Sequence, residues 1–291
     1  MTSDGNATAP AWIAAACDGA LTGARRAPWG FRHETWLADL FDGRRVAVQR
    51  RADGSDPLAA DARAVRGRVR RTGIDVPEPV SVHRIDDRTV VVLPFLDGEV
   101  AAALLGTPRG AAVAGRSCGE VAARLAAVDP AGLRLPDTWA SGAALRAEAH
   151  RWASDPRVPL PDATRERVAR AAERAGREVD ATGPRLCHGD LAPVNVLVDA
   201  GRPAALLDLD RARLGHALYD AAWFAWVVGF HHPGVAGAAW SAFARASGAG
   251  EQPVEDVAWL WPLLLLERTA EARDGAERSL WSDRLARTFP G

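Results

Sequence analysis

The chain contains no lysine; all 36 of its basic residues are arginine. This excludes a Walker A loop, whose lysine reaches the β- and γ-phosphates, and every reaction that runs through a lysine Schiff base. Cysteine is almost as scarce. Cys17, Cys118 and Cys187 are scattered along the sequence, a pattern that makes neither a disulfide framework nor a zinc site. Reduced thiols in a cytoplasmic protein are the expectation. Long apolar runs are missing as well. The longest, residues 261–266, contains Pro262 and ends at Glu267, far short of the roughly 20 residues a membrane helix needs. A small apolar patch ending at Cys17 lacks the basic segment and the length of a secretory signal, and reads as a first helix. Charge of one sign is also absent. The 36 basic residues face 37 acidic ones, for a net charge of −1, so neither nucleic acid nor a membrane is an expected partner.

What is present is a 291-residue chain that is 48% hydrophobic and 25% charged, enough to bury a sizeable core in one large domain or two lobes. Residues 10–20 read as a helix. Residues 34–50 read as two strands joined by Phe41-Asp42-Gly43-Arg44, a good hairpin turn. A helical pattern over 57–72 is broken by Gly73 and Pro77, and 80–83 with 88–93 make a second strand pair. From residue 99 the pattern is helical over 99–106, 110–128, 141–154, 161–180, 218–230, 234–247, 254–273 and 276–288. One interruption, 185–210, holds two short apolar runs around a turn at 199–202. The expected fold is therefore α+β and bilobal: a small β-rich lobe over 1–97, a connection near 93–98, and a larger helical lobe over 98–291 carrying an embedded hairpin.

The chemistry concentrates in that interruption. Cys187-His188-Gly189-Asp190 is followed by Asn195 five residues after the aspartate, and then by Leu207-Asp208-Leu209-Asp210 beyond the hairpin. A loop before a hairpin can hold Asp190 near a substrate hydroxyl. Asn195 and Asp208 can then converge on one hard cation, which wants oxygen ligands. Phosphoryl transfer needs little more than an in-line acceptor oxygen, a carboxylate for its proton and Mg²⁺ on the phosphates. A His-Gly-Asp-x-x-x-x-Asn string arises by chance in about one chain in a thousand of this length.

This pattern, with the continuation Leu214-Gly215-His216-Ala217-Leu218-Tyr219-Asp220, resembles the aminoglycoside phosphotransferase superfamily. Those proteins are the small-molecule kinases of the protein-kinase-like fold, and they include macrolide phosphotransferases, choline kinases and fructosamine kinases. The resemblance implies that Asp190 is the catalytic base, that Asn195 and Asp208 bind Mg²⁺, and that His188 and Asp220 support the loop. Asp210 either assists the metal or is a solvated turn carboxylate. The resemblance also makes the first lobe the nucleotide-binding one. There Gly30 and Arg32 lie in the loop expected over the phosphates.

Alternation along Val46-Ala47-Val48-Gln49 puts Ala47 and Gln49 on the nucleotide face and Gln49 at the place of the family's lysine. Asp61 is the expected stand-in for the helix glutamate, and Arg32 or Arg50 the expected source of the missing positive charge. Residues 93–98 resemble the adenine-binding hinge, with Leu93 on its wall and Phe95 or its neighbours as backbone donors, because Pro94 has no N–H. Backbone recognition does not separate ATP from GTP.

The acceptor is expected among the helices of the second lobe, where Trp223, Trp226 and the inward-facing Glu267 are candidates, together with Asp210. The acids there alternate with arginines, which favours a neutral or mixed acceptor over a polycation. The expected function is transfer of a γ-phosphate to a hydroxyl of a small molecule, an antibiotic or its precursor among the candidates. The alternative is a nucleotide-binding pseudokinase with a scaffolding or sensing role, suggested by the missing lysine. A protein-kinase reading fails for want of an Ala-Pro-Glu segment and a long activation loop.

Overall fold

A computed structural model describes residues 9–29, 33–51 and 57–289. The first lobe opens with α1 (Ala11–Ala16) and strands β1 (Leu21–Arg26), β2 (Glu34–Leu40) and β3 (Arg45–Arg50). Helix α2 (Ala60–Arg70) and strands β4 (Ser81–Ile85) and β5 (Arg88–Pro94) complete it. The strands form one antiparallel sheet in the order β1-β2-β3-β5-β4. Alternation gives the sheet two faces. Val46, Val48, Val90 and Val92 pack with Trp36 against Trp12 and Ile13 of α1. Leu37, Ala47 and Leu93 pair across the strands on the other face, as do Thr35, Gln49 and Val91. Strand β1 was not expected from the sequence. Leu21-Thr22-Gly23-Ala24-Arg25-Arg26 has no apolar alternation, and it is a strand because it pairs along the edge of β2.

The second lobe begins with the two-residue strand β6 (Glu99–Val100), then α3 (Pro108–Ala126), α4 (Gly142–Ala153) and α5 (Asp162–Thr182). Four short strands follow: β7 (Arg185–Cys187), β8 (Val196–Asp199), β9 (Arg202–Leu206) and β10 (Arg213–Gly215). Helices α6 (Tyr219–His231), α7 (Ala236–Ala246), α8 (Glu255–Ala258), α9 (Trp261–Ala270) and α10 (Gly275–Thr288) close the lobe. The stretch expected as one helix over 254–273 is two, because Pro262 sits in the first turn of α9, where its missing N–H costs nothing. Residues 99–106, expected as a helix, form β6 and a 3₁₀ turn.

The lobes share backbone as well as side chains. Asp75, just beyond α2, forms a parallel bridge to Ala205 of β9 and accepts the Leu206 N–H at 2.8 Å. Val65, Val69, Ile74 and Val76 belong to the same buried cluster as the helices of the second lobe. In that cluster α3 and α7 pack at near backbone contact. A Cβ added at Gly115 or Gly119 would lie against the carbonyl oxygens of Ala239 or Phe243.

Two glycine substitutions separate packing from propensity. Gly115→Ala forces α7 away and is expected to cost about 1–3 kcal/mol. Gly229→Ala, in α6 with nothing within 4 Å of the new methyl, is expected to stabilise by up to about 1 kcal/mol. Urea unfolding of the pair checks both signs.

Candidate active site

The loop between β7 and β8 is held by the first turn of α6. The Asp220 carboxylate accepts the His188 N–H at 2.7 Å and the Gly189 N–H at 3.0 Å. Burial raises the Asp220 pKa, and His188 with these two bonds opposes the rise. Gly189 stands at φ +78°, and a Cβ there would meet the Arg211 carbonyl, so only glycine fits. The His188 ring is fully buried. Its Nδ1 accepts the Asp190 N–H at 3.2 Å, which leaves the proton on Nε2, 2.9 Å from the Leu207 carbonyl it donates to. Asn195 Nδ2 donates to the Asp190 carbonyl at 2.9 Å, and the Leu207 N–H donates to the Asn195 carbonyl at 2.8 Å. The loop and the end of the hairpin are thus one hydrogen-bonded unit.

Asp208 sits at φ +54° and ψ 70°, a left-handed conformation that is strained for a residue other than glycine. Its carboxylate accepts the Asp210 N–H at 3.3 Å. Desolvation raises its pKa first, and the charges of Asp210 and Asp190 raise it further. Asp210 behaves oppositely. Burial works to raise its pKa, but hydrogen bonds from His33 and Arg51 and the charge of Arg51 outweigh burial and hold it well below the usual carboxylate range. The His33 Nε2 lies 2.8 Å from Asp210 Oδ2, and Arg51 Nη2 is paired with the same oxygen. Ligand atoms of His33, Asp208 and Asp210 all lie within 4.8 Å of one another. Asp210 is therefore not a solvated turn residue: it ties the second lobe to the ends of β2 and β3.

These carboxylates end a cavity of 530 Å³ between the lobes, within the usual range of ligand sites. Ala47, Gln49, Leu93, Asn195 and Asp208 line it. Several expectations for its walls need correction. Asp61 is exposed, and the turn of α2 toward the cavity carries Ala62, Val65 and Arg66 instead. The Phe95 N–H is committed to the Arg45 carbonyl at 3.2 Å, so it is not a donor for a base. Arg50 lies on the opposite face of the sheet, 3.6 Å from Glu34 and beside the Trp12 ring. Gly30 and Arg32 lie outside the described residues.

The acceptor candidates also move. Trp223 and Trp226 are buried, stacked on each other with ring centroids 5.3 Å apart. Trp226 Nε1 donates to Thr288 Oγ1 at 3.0 Å. Glu267 does face inward, but its carboxylate is spent on the core: Oε1 accepts from Trp139 Nε1 at 2.9 Å and from Arg213, and Oε2 accepts from the Tyr219 hydroxyl at 2.7 Å.

Arg268 was not foreseen. It is 3% exposed, donates to the Gly189 carbonyl, and lies over Trp223 and 3.7 Å from Asp190 Oδ1. Arg51 was missed too, although alternation through Ala47 and Gln49, continued one step, reaches it. His33 carried no local motif; its link to Asp210 spans 177 residues.

A five-stranded sheet over a helical lobe, with a cavity between them lined by Asn195 and the Asp208-Leu209-Asp210 turn and a His-Gly-Asp loop hydrogen-bonded to Asn195, defines a protein-kinase-like phosphotransferase fold. The family model described as "Phosphotransferase enzyme family" matches residues 23–258, and the chain belongs to that family. Among solved structures it is similar to a macrolide 2'-phosphotransferase type I, with a TM-score of 0.68 at 16% identity over 94% of this chain and 95% of that one. It is also similar to the macrolide 2'-phosphotransferase MphH from Brachybacterium faecium, with a TM-score of 0.59 at 19% identity over 96% and 97%. A third is a thermostable mutant of aminoglycoside phosphotransferase APH(4)-Ia in ternary complex with ADP and hygromycin B, with a TM-score of 0.66 at 17% identity over 98% and 100%. A search of curated proteins finds no match. No helix among the described residues is long and apolar enough to cross a membrane.

Glu267→Gln leaves Arg213 buried without its counter-charge and is expected to cost about 3–5 kcal/mol. Burial raises the Glu267 pKa, but Arg213 and Arg268 bring it below the ordinary glutamate value. The stability it supplies is present above that ordinary value and lost as pH falls through the folded-state value. Chemical denaturation from neutral to acid pH is expected to show a shallower acid limb in Glu267→Gln than in the wild type.

Proposed function

We propose that the chain transfers the γ-phosphoryl group of a nucleoside triphosphate, ATP or GTP, to a hydroxyl of a small molecule in a Mg²⁺-dependent reaction. The observation that carries this reading is that Asn195 and Asp208 line one end of the interlobe cavity, with Asn195 hydrogen-bonded to the Asp190 carbonyl and Asp190 close enough to act on the Asp208 charge. The donor set fits the ion, which prefers carboxylate and other oxygens and keeps positions for phosphate. Asn195 has its nitrogen committed to the Asp190 carbonyl, which leaves its oxygen for a cation. Asp208 is held above the usual carboxylate range by burial and by neighbouring negative charge, a potential that a cation relieves. Asn195 and Asp208 would hold Mg²⁺, which when bound neutralises the phosphate oxygens.

Asp190 does the proton chemistry in this reading. Its side chain is 31% exposed, so an acceptor hydroxyl can reach it. The hydroxyl oxygen forms a bond to the γ-phosphorus, its proton passes to Asp190, and the bond to the β,γ-bridging oxygen breaks to release the nucleoside diphosphate. Asp220 and His188 fix the loop, and Arg268 holds it from beneath. The sheet face bearing Ala47 and Leu93 suits the flat apolar base.

The charges near Asp190 bear on the acceptor. Arg268 lies beside it, and of the acids toward the end of the second lobe, Glu271 is paired with Arg211 at 3.2 Å and Glu277 with Arg273 at 2.9 Å. Acids committed to arginines favour a neutral or mixed acceptor, such as a macrolide or nucleoside antibiotic or its precursor, over a polycation. The pseudokinase alternative rested on the missing lysine alone, and an arginine in the cavity wall weakens it.

The test is calorimetry with ATP and GTP, each with and without Mg²⁺, followed by an acceptor screen read as nucleoside diphosphate release. Asp190→Asn is expected to lower turnover by roughly 10²–10⁴-fold, with melting temperature and nucleotide affinity kept. Full turnover in that variant refutes the assignment of Asp190, and absence of nucleotide binding by the wild type refutes the kinase reading itself.

A further inference from the structure

A polyphosphate in the interlobe cavity needs a cation, and the chain has no lysine to supply one. The neutral Gln49 occupies the expected position. Alternation along β3 continues past the strand's last residue. The Arg51 N–H donates to the Thr89 carbonyl at 2.8 Å, which keeps residue 51 in the sheet register. Its side chain therefore falls on the same face as Ala47 and Gln49, and it lines the cavity at 5% exposure. Its guanidinium is paired with Asp210, two residues from the proposed metal ligand Asp208.

Among the described residues, the other arginines near the cavity are differently placed. Arg66 donates to Glu78 at 3.2 Å and to the Pro57 carbonyl at 2.7 Å. Arg25 is exposed, and Arg50 lies on the far face beside Trp12.

We propose that Arg51 is the residue that receives the nucleotide's phosphates, and that Asp210 holds its guanidinium at the phosphate end of the cavity. The proposal rests on the kinase reading above. Arginine suits the task because it is always ionised and its planar fork matches a phosphate as well as a carboxylate. A cation at 5% exposure also needs a partner when no nucleotide is bound, and Asp210 is one. Two carboxylates would otherwise stand side by side at this end of the cavity. Asp210 is engaged by His33 and Arg51, and Asp208 is left to the metal.

The competing explanation is that the Arg51–Asp210 pair is only a strap between the lobes. Titration of ADP into the wild type and into Arg51→Gln, Arg51→Lys and Asp210→Asn separates the two. Measurements are made without Mg²⁺, so that metal binding does not enter. Phosphate binding by Arg51 predicts ADP affinity at least tenfold weaker in Arg51→Gln and within about threefold of wild type in Arg51→Lys. It also predicts a clearly smaller loss in Asp210→Asn than in Arg51→Gln, because the guanidinium is kept and only its hold on position is weakened. Wild-type affinity in Arg51→Gln, or an equal loss in Arg51→Gln and Asp210→Asn, overturns the proposal in favour of the strap. Should Arg51→Gln not fold, the charge-balanced double substitution Arg51→Met with Asp210→Leu replaces it. Wild-type ADP affinity in the double variant overturns the proposal, and a tenfold loss supports it. Failure of the wild type to bind any nucleotide overturns the kinase reading, and the inference with it.

Discussion

The Asp220 carboxylate, receiving two consecutive backbone N–H groups at 2.7 and 3.0 Å, is the constraint on which the site depends. Hydrogen bonds to a charged group contribute roughly 1.5–3 kcal/mol each, and here both fall on the residues immediately before Asp190. Every later position follows from that anchor. Gly189 makes the left-handed turn, His188 accepts the Asp190 N–H and donates to Leu207, and Asn195 donates to the Asp190 carbonyl. Leu207 precedes Asp208, so the same network that places Asp190 places the acidic turn. Helix α6 is rigid at this end because Tyr219, its first residue, donates to Glu267 of α9.

Below this network the lobe is held by one buried acid. Glu267 collects Trp139, Arg213 and Tyr219, from the segment before α4, from β10 and from the start of α6. A buried ion pair of this kind adds little net stability over an apolar core, yet breaking it is costly because a charge is left without a partner. It links the elements on either side of the 188–195 loop to one carboxylate on α9. Arg268, the next residue of α9, turns toward Gly189 and Asp190. Adjacent residues of one helix thus serve the core and the loop.

The sequence made the local parts of this arrangement legible. The β2–β3 hairpin announced itself by Asp42-Gly43 between strand-forming runs, and the 188–195 loop by a fixed spacing that few chains share. Alternation along β3 put Ala47 and Gln49 on the cavity wall, where they are. What stayed hidden depended on distance or on a small rotation. Asp61 was the nearest acid on α2, but helical geometry turns Ala62, Val65 and Arg66 toward the cavity, and one residue is about 100° of rotation. Glu267 was legible as inward-facing, yet its partners lie 48 to 128 residues away, and no periodicity records them. Trp223 and Trp226 carried an ambiguous signal, since a large aromatic ring serves a core and a cleft wall equally well; here the core took both.

A chain without lysine must meet every need for positive charge with a group that is planar, always ionised and apt to stack on aromatic rings. The second lobe uses it that way repeatedly: Arg268 lies over Trp223, Arg284 over Trp281 and Arg287 over Phe230. The same constraint reshapes the cavity wall. A lysine on a central strand is a compact point charge that an acid on the neighbouring helix can hold. An arginine needs more room and a partner in the plane of its fork. Here the cation stands beyond the strand's last residue, and its partner comes from the other lobe, at Asp210. Helix α2 is then relieved of supplying an acid, and it turns Arg66 inward to tie Pro57 and Glu78 instead. On the proposed role of Arg51, the neutral Gln49, the exposed Asp61 and the Arg51–Asp210 pair are parts of one arrangement, suited to the size and geometry of a guanidinium group.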